Sequence, residues 1–125
     1  MKPGDTIRAS CHCGAVRIEA VLTAPLETAA RCDCSFCKRR QAANVSTSAE
    51  ALKVLQGEDA LTLYTWGTGT AKHYFCRHCG IYTHHRRRSD TSECGVNIGC
   101  IEGVSPRDYE PIGYSDGINH SADKS

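Results

Sequence analysis

The sequence FCRHCG, residues 75–80, places two cysteines three positions apart and ends in a glycine. In such a turn both thiolates can point at one metal ion, and the glycine accommodates the left-handed backbone that closes the turn. The sequence CHCG, residues 11–14, has a similar arrangement with one residue fewer between its cysteines. Together the two segments supply the four thiolates of a tetrahedral structural zinc site. The predicted ligands are Cys11, Cys13, Cys76 and Cys79.

The two cysteine pairs lie roughly sixty residues apart, so an ion bound by both would close a long loop. It would tie the start of the chain to the centre of a predicted sheet. Each pair taken alone could instead be a redox pair, or consist of small buried side chains. Two pairs that both end in glycine favour zinc over these alternatives.

A third group of cysteines lies in RCDCSFCKRR, residues 31–40. Its members are Cys32, Cys34 and Cys37. Three protein ligands leave a tetrahedral zinc ion with an open position, which distinguishes catalytic from structural sites. A bound thiol would lose its proton there and become a nucleophile. Two alternatives stay open: a fourth ligand from Cys94, Cys100 or a histidine, and an iron–sulfur cluster.

The nine cysteines in 125 residues fit either disulfides in an oxidising compartment or metal sites in a reducing one. The N-terminal segment has no apolar run typical of a signal peptide, and no stretch approaches the length of a membrane span. We therefore expect a cytoplasmic protein without a membrane partner. The formal net charge of +1 would fall below zero with thiolates and Zn²⁺ bound, which disfavours a nucleic-acid partner.

The segment AVRIEAVL, residues 15–22, alternates apolar and charged residues, which predicts a half-buried strand. Four further segments are rich in β-branched and aromatic residues and are separated by turns that contain glycine. These are residues 60–66, 71–76, 81–88 and 95–101. Five short strands predict a mostly β, twisted antiparallel assembly.

Little helix is expected. SFCKRRQA, residues 35–42, could form a turn or two capped by Ser35, and SAEALKVLQG, residues 48–57, ends in a glycine as helices do. Residues 115–125 are polar and without periodicity, which is typical of a tail. Because the chain has no linker or internal repeat, we predict a single domain over residues 1–125, with its core at about 7–114.

Five segments together resemble the glutathione-dependent formaldehyde-activating enzyme family, which shares its domain type with centromere protein V. The segments are CHCGAVRIEA (11–20), CDCSFCKRR (32–40), YFCRHCGIYTHHRRRS (74–89), GVNIGCIEG (95–103) and DGINH (116–120). The resemblance implies a zinc-stapled β-tent fold with two Zn²⁺ per chain. One ion would be structural, on the four cysteines of the two pairs, and the other labile and catalytic, on Cys32, Cys34 and Cys37.

The resemblance also implies a carbon–sulfur lyase that adds the glutathione thiol reversibly to formaldehyde, giving S-(hydroxymethyl)glutathione. Glutathione and a small aldehyde would be the substrates, and the chain would act as a monomer or homodimer. Thiols add to formaldehyde readily without help, so the alternative is a zinc-stabilised binding or carrier domain without turnover. Because centromere protein V is associated with chromatin, a protein or nucleic-acid ligand belongs to that alternative.

Several arginines could meet the carboxylates of a doubly anionic tripeptide thiol. Arg39 or Arg40, just past the third cysteine group, is predicted to bind a substrate carboxylate. The run of arginines at residues 86–88 is predicted to be mostly solvated, because successive residues of a strand cannot all face one cavity. Asp33 would make the site more negative and could weaken binding of an anionic substrate.

The remaining marked residues are predicted to pack. Tyr64 and Trp66 alternate on one strand face, as core residues do, and the alternative is that they form an aromatic wall of a pocket. His84 and His85 point to opposite faces, so one is expected to be exposed and the other packed, and a proton-relay role for either is the less favoured alternative. The two cysteines outside the three groups match no ligand spacing and are expected to be small buried side chains.

Overall fold

The computed structural model describes residues 1–117, and this part of the chain is mostly β, with little helix. Residues 118–125, which include His120 and most of the predicted tail, lie outside the described residues. The strands are β1 (Thr6–Ser10), β2 (Arg17–Val21), β3 (Ala30–Cys32), β4 (Asn44–Ser48), β5 (Lys53–Gln56), β6 (Leu61–Tyr64), β7 (Lys72–Cys76), β8 (Tyr82–Arg86), β9 (Glu93–Asn97) and β10 (Gly113–Ser115). The helical segments are α1 (Cys37–Arg40) and short 3-10 helices at Leu26–Thr28, Glu58–Ala60, Ile98–Cys100 and Pro106–Tyr109.

Two sheets form the domain. The smaller has the strand order β1–β2–β5, and the larger has the order β10–β3–β4–β9–β8–β7–β6. The pairs within both sheets are antiparallel except β10 with β3, which run parallel. The predicted fold class, mostly β in one domain with little helix, is confirmed, and the larger sheet is mixed rather than purely antiparallel.

The β2 strand packs its apolar face into the core, as the alternation of its sequence predicts. Val16, Ile18, Ala20 and Leu22 are at most 1% exposed. Leu22 forms a bridge to Thr47 of the larger sheet, and residues of both sheets belong to the same buried cluster. The core therefore lies between the two sheets and is shared by them.

Both helix predictions need correction. Residues 48–57 contain the end of β4, a turn and β5, because Val54 pairs with Ile18 of β2 and this tertiary pairing overrides the local helical pattern. A short helix does form at α1, but Phe36 precedes it and no side chain, including that of Ser35, caps it. None of the helices within residues 1–117 has the length and apolar character needed to cross a membrane.

The larger sheet presents two chemically different faces, because successive side chains of a strand point to opposite sides. On β4, Val45 and Thr47 point into the core and are buried. Asn44 and Ser46 point to the other side of the sheet, where they line a cavity. The strand register places Ser46 opposite Gly95 of β9. The polar row that faces the cavity is therefore set by strand alternation and register.

Candidate metal centres and active-site cavity

Four cysteines meet where the two sheets join. Cys11 and Cys13 lie in the turn between β1 and β2, Cys76 ends β7, and Cys79 lies in the turn before β8. Their Sγ atoms all lie within 4.8 Å of one another. The Sγ of Cys13 is 3.7 Å from that of Cys11 and 3.7 Å from that of Cys76. Sulfurs bound at about 2.3 Å around one tetrahedral ion would be about 3.8 Å apart, so this spacing fits zinc.

This four-cysteine cluster joins the smaller sheet to the larger one, although at a different place from the one predicted. The β7 strand is the second from one edge of the larger sheet, so the junction lies near that edge and not at the centre. The first pair follows β1, so its turn connects two strands of the smaller sheet. A bound ion would therefore hold a hairpin of each sheet against the other.

Backbone groups of both turns are arranged to stabilise thiolates. The N–H of Val16 donates to Sγ of Cys11 at 3.3 Å, and the N–H of His78 donates to Sγ of Cys76 at 3.4 Å. Backbone N–H donors also lower the pKa of Cys79 to about 6. Deprotonated sulfur is the form that binds metal, so this environment favours a metal ion.

A glycine closes each of the two turns, as the sequence predicts. Gly14 has φ of +80° and Gly80 has φ of +76°. Both are in the left-handed region, which a residue with a side chain adopts only at a cost. The N–H of Gly80 donates to the carbonyl of Cys76 at 2.8 Å, so the glycine completes the turn around the metal ligands.

The second group of sulfurs, the three-cysteine cluster, lies at the end of β3 and the start of α1. Its members are Cys32, Cys34 and Cys37, with Sγ atoms all within 4.8 Å of one another. The N–H of Cys37 donates to Sγ of Cys34 at 3.2 Å. A hydrogen bond from the Cys37 thiol lowers the pKa of Cys32 to about 5, and the same bond raises the pKa of Cys37. The cluster thus stabilises negative charge on sulfur and can hold a metal ion.

All three of these cysteines line a cavity of about 440 Å³. The cavity is also lined by Trp66, His73, His85, Arg87 and Arg88. None of the residues of the four-cysteine cluster lines it. The two clusters therefore differ in access: one joins two hairpins, and the other faces a space of the size that small-molecule sites have.

The two arginines predicted to bind substrate, Arg39 and Arg40, lie outside the cavity lining. Arg39 is exposed and donates to a nearby backbone carbonyl, and neither Arg39 nor Arg40 lines the cavity. The guanidinium of Arg40 lies 3.7 Å from the ring centroid of Tyr82, and its Nη2 donates to Sγ of Cys37 at 3.4 Å. Arg40 therefore lies outside the cavity and stabilises a thiolate form of Cys37 as an adjacent cation.

Two arginines of the 86–88 run line the cavity, so the prediction that this run is mostly solvated is wrong. Arg87 continues the alternation of β8, and its Nη2 donates to Oγ of Ser46 at 2.9 Å. Arg88 lies past the end of the strand, where alternation no longer applies, and its Nη2 donates to the carbonyl of Gly117 at 3.3 Å. Arg86 faces away from the cavity, as a strand requires.

The C-terminal segment covers the three-cysteine cluster. Ser115 of β10 pairs with Cys32 of β3, and the N–H of Gly117 donates to Oδ1 of Asp33 at 2.7 Å. A Cβ atom on Gly117 would lie 2.3 Å from Sγ of Cys32 and 2.8 Å from Cβ of Cys34, so only glycine fits there. The carboxylate of Asp33 thus anchors this segment and is not simply an extra charge beside the cluster.

The aromatic pair of the β6 region does not pack in the core, and Trp66 has the alternative role of a pocket wall. Tyr64 is 44% exposed, and its ring centroid lies 5.2 Å from that of Phe36. The ring centroid of Trp66 lies 6.4 Å from that of Phe36, and Trp66 also lines the cavity. The strand lies at the edge of the larger sheet, so its side chains pack against the loop that holds the cysteines instead of entering the core.

The histidines of β8 are both enclosed, which corrects the prediction that one is exposed. His84 is buried on the core side of the sheet, and His85 lines the cavity. Sequence reasoning missed His73, which reaches the cavity because β7 places it directly opposite His85. The two cysteines outside the clusters, Cys94 and Cys100, are buried as predicted.

Comparison with known proteins agrees with this arrangement. The profile of a family described as glutathione-dependent formaldehyde-activating enzyme matches residues 6–114. A crystal structure of a Rhodobacter sphaeroides protein is 52% identical in sequence and matches with a TM-score of 0.84, covering 86% of this chain and 99% of that chain. The resemblance carried by the cysteine motifs is thereby confirmed. This chain belongs to the glutathione-dependent formaldehyde-activating enzyme family.

Proposed function

We propose that this protein catalyses the reversible addition of the glutathione thiol to formaldehyde or a similarly small aldehyde, giving S-(hydroxymethyl)glutathione. One observation carries the proposal: three cysteines with the spacing of metal ligands line a cavity that also contains two arginines. The family match supports the substrate class. The cytoplasmic location and the monomeric or homodimeric state stay predictions.

The donor sets of both clusters fit zinc, and we propose one Zn²⁺ in each. Four sulfurs with tetrahedral spacing fit a structural ion, which would stabilise the fold. Cys32, Cys34 and Cys37 would hold a second, more labile ion with an open position facing the cavity. When bound there, Zn²⁺ would lower the pKa of an incoming thiol.

The cavity explains how a charged thiol substrate could be oriented. Its volume of about 440 Å³ is in the usual range for small-molecule sites. Arg87 and Arg40 each have a buried Nε without a hydrogen-bond partner among residues 1–117, and of the two only Arg87 lines the cavity. An unpaired buried donor is unfavourable, so a bound carboxylate would supply the missing acceptor. We therefore place a substrate carboxylate at Arg87, while Arg39 and Arg40 remain the sequence-based prediction.

This placement predicts a substrate-selective defect in the Arg87→Gln variant. Loss of a charge-assisted hydrogen bond of about 1.5 to 3 kcal/mol should raise the KM for glutathione about tenfold or more. The KM for 2-mercaptoethanol, a thiol without a carboxylate, should change less than about twofold on the same reasoning. Arg86→Gln, on the opposite face of the strand, is the matched control and should leave both values unchanged. Equal defects with both thiols would refute the placement.

The function itself is tested by the rate at which formaldehyde exchanges between its free form and the glutathione adduct. NMR exchange spectroscopy measures this rate at equilibrium, with and without the zinc-loaded protein. We expect at least about 10²-fold acceleration over the uncatalysed exchange, which requires the barrier to fall by only about 2.7 kcal/mol. Free Zn²⁺ at the same concentration is the control. Exchange that is no faster with protein would favour the binding or carrier alternative.

A further inference from the structure

A row of side chains crosses the larger sheet on its cavity side. The strand register pairs His73 of β7 with His85 of β8, and His85 with Gly95 of β9. The two imidazole rings stack with centroids 5.3 Å apart and an interplanar angle of 26°. Both rings line the cavity that the three-cysteine cluster faces. Two imidazoles are thus presented together to any molecule bound there.

The position of the His85 ring is fixed by its neighbour on β9. A Cβ atom on Gly95 would lie 2.5 Å from Cε1 and 3.0 Å from Nδ1 of His85. No other residue leaves room for the ring at this place. The ring therefore lies against the backbone of β9, with Nδ1 held next to the hydroxyl of Tyr82 at 2.5 Å.

The hydroxyl of Tyr82 determines which nitrogen of His85 carries the proton. This hydroxyl lies 2.6 Å from Oδ1 of Asn44, which can only accept a hydrogen bond. The amide of Asn44 is oriented by its Nδ2, which donates to the carbonyl of Ala42 at 3.4 Å. Burial raises the pKa of Tyr82, so the phenol keeps its single proton and donates it to Asn44. Nδ1 of His85 must then be the donor to Tyr82, which leaves Nε2 as an acceptor.

His73 has the opposite arrangement. Its Nδ1 lies 3.2 Å from Nη1 of Arg40, and a guanidinium has only donors. Nδ1 of His73 therefore accepts, and Nε2 carries the proton. Burial, together with the charges of Arg40 and Arg88, lowers the pKa of His73 to about 4, and burial lowers the pKa of His85 as well. Both rings are thus neutral at pH 7.

The two rings therefore offer complementary groups. Among residues 1–117, neither Nε2 atom has a hydrogen-bond partner, so both are available to a molecule in the cavity. We propose that His85 is the proton-transfer residue of the addition reaction and that His73 is the hydrogen-bond donor that stabilises its developing oxyanion. Nε2 of His85 accepts the thiol proton, and Nε2–H of His73 donates a hydrogen bond to the aldehyde oxygen. This inference rests on the proposed function and assigns its proton-transfer residues.

The step balances without an oxidant or further reactant. The S–H bond breaks and its proton moves to Nε2 of His85, while the sulfur electron pair forms the new C–S bond. The π electrons of the carbonyl move to oxygen, which is stabilised by the hydrogen bond from His73. The proton on His85 then passes to that oxygen, giving the hemithioacetal S-(hydroxymethyl)glutathione and restoring the neutral imidazole of His85, while His73 keeps its proton throughout. Tyr82 acts as a positioning residue, because it fixes the tautomer of His85 and does not contact the reacting atoms.

The proton assignment can be measured without any activity assay. Long-range ¹H–¹⁵N correlation spectra of the zinc-loaded protein at neutral pH distinguish protonated from unprotonated ring nitrogens. We expect His85 to be protonated at Nδ1 and His73 at Nε2. Tyr82→Phe should shift His85 toward the Nε2-protonated form, because the substitution removes the hydroxyl oxygen that accepts the hydrogen bond from Nδ1–H of His85. Protonation of His85 at Nε2 in the wild-type protein would overturn the proposal.

Kinetics test the catalytic role in the same samples. An asparagine at position 85 can keep a donor near Tyr82 but lacks the base, so His85→Asn should lower kcat at least about 10²-fold. Tyr82→Phe should lower kcat by about tenfold with a KM within twofold of wild type, because it alters the tautomer and not the binding site. His84→Asn, which removes a buried imidazole from the other face, is the matched control. Wild-type kcat in folded His85→Asn would refute the role, whereas absent catalysis in the wild type would overturn the proposed function instead.

Discussion

The Cys76→Ala variant is expected to be unfolded in buffer at room temperature, even with zinc present. Cys76 is completely buried and belongs to the cluster that joins the hairpins of the two sheets. Structural zinc contributes about 10 to 16 kcal/mol of binding free energy in small zinc domains. A domain of this size is stable by only about 5 to 15 kcal/mol in total. Loss of one ligand weakens zinc binding and therefore removes most of the free energy of unfolding.

Far-UV circular dichroism and the dispersion of amide NMR signals measure this outcome. Cys94→Ala is the matched control, because Cys94 is also a buried cysteine but belongs to neither cluster. Its removal leaves a small void and should cost about 1 kcal/mol, so that variant should remain folded. A Cys76→Ala protein that melts at the wild-type temperature would show that the four-cysteine cluster does not hold the fold together.

The Cys34→Ser variant should remain folded and lose catalysis. Cys34 lines the cavity and lies outside the junction between the sheets, so its loss removes a ligand of the proposed second ion and leaves the first ion in place. Its kcat/KM for adduct formation should fall at least about 10²-fold, to the level of the uncatalysed reaction. The unfolding temperature should change by only a few degrees.

Exchange spectroscopy and thermal unfolding measure these two effects on one preparation. Cys100→Ser is the control, since it changes a buried cysteine outside both clusters in the same way. Full activity in Cys34→Ser would show that the reaction does not require the three-cysteine cluster. Unfolding of Cys34→Ser would instead assign this cluster a structural role.

The metal clusters could be predicted from the sequence because their ligands are encoded locally. Each pair lies within one turn, and the triplet lies within six residues. The requirement for glycine at Gly14 and Gly80 follows from the same turns. The strands around them were predicted only where apolar or aromatic residues alternate clearly. Five of the ten strands are not predicted. β3, β4 and β10 have the sequences ARC, NVSTS and GYS, which are short or polar and give no such signal. β1 precedes the first predicted strand, and β5 lies in the segment predicted as a helix.

The residues that share the cavity could not be predicted, because they meet only through strand register. His73 and His85 are twelve positions apart, and no local pattern indicates that they stack. Arg88 reaches the cavity because β8 ends at Arg86, which sequence alone does not determine. The role of Asp33 depends on Gly117, at the far end of the described residues. Proximity along the sequence favours Arg39 and Arg40, whereas the arginines that line the cavity are Arg87 and Arg88.

The central claim is that seven cysteines divide into one structural and one accessible zinc site. Native mass spectrometry of freshly purified protein, before and after brief exposure to a mild chelator, tests it most directly. We expect two zinc ions per chain at first, then one ion in a protein that is still folded and that no longer accelerates adduct exchange. Disulfide-linked cysteines without metal, or two ions that leave only together as the chain unfolds, would contradict this account.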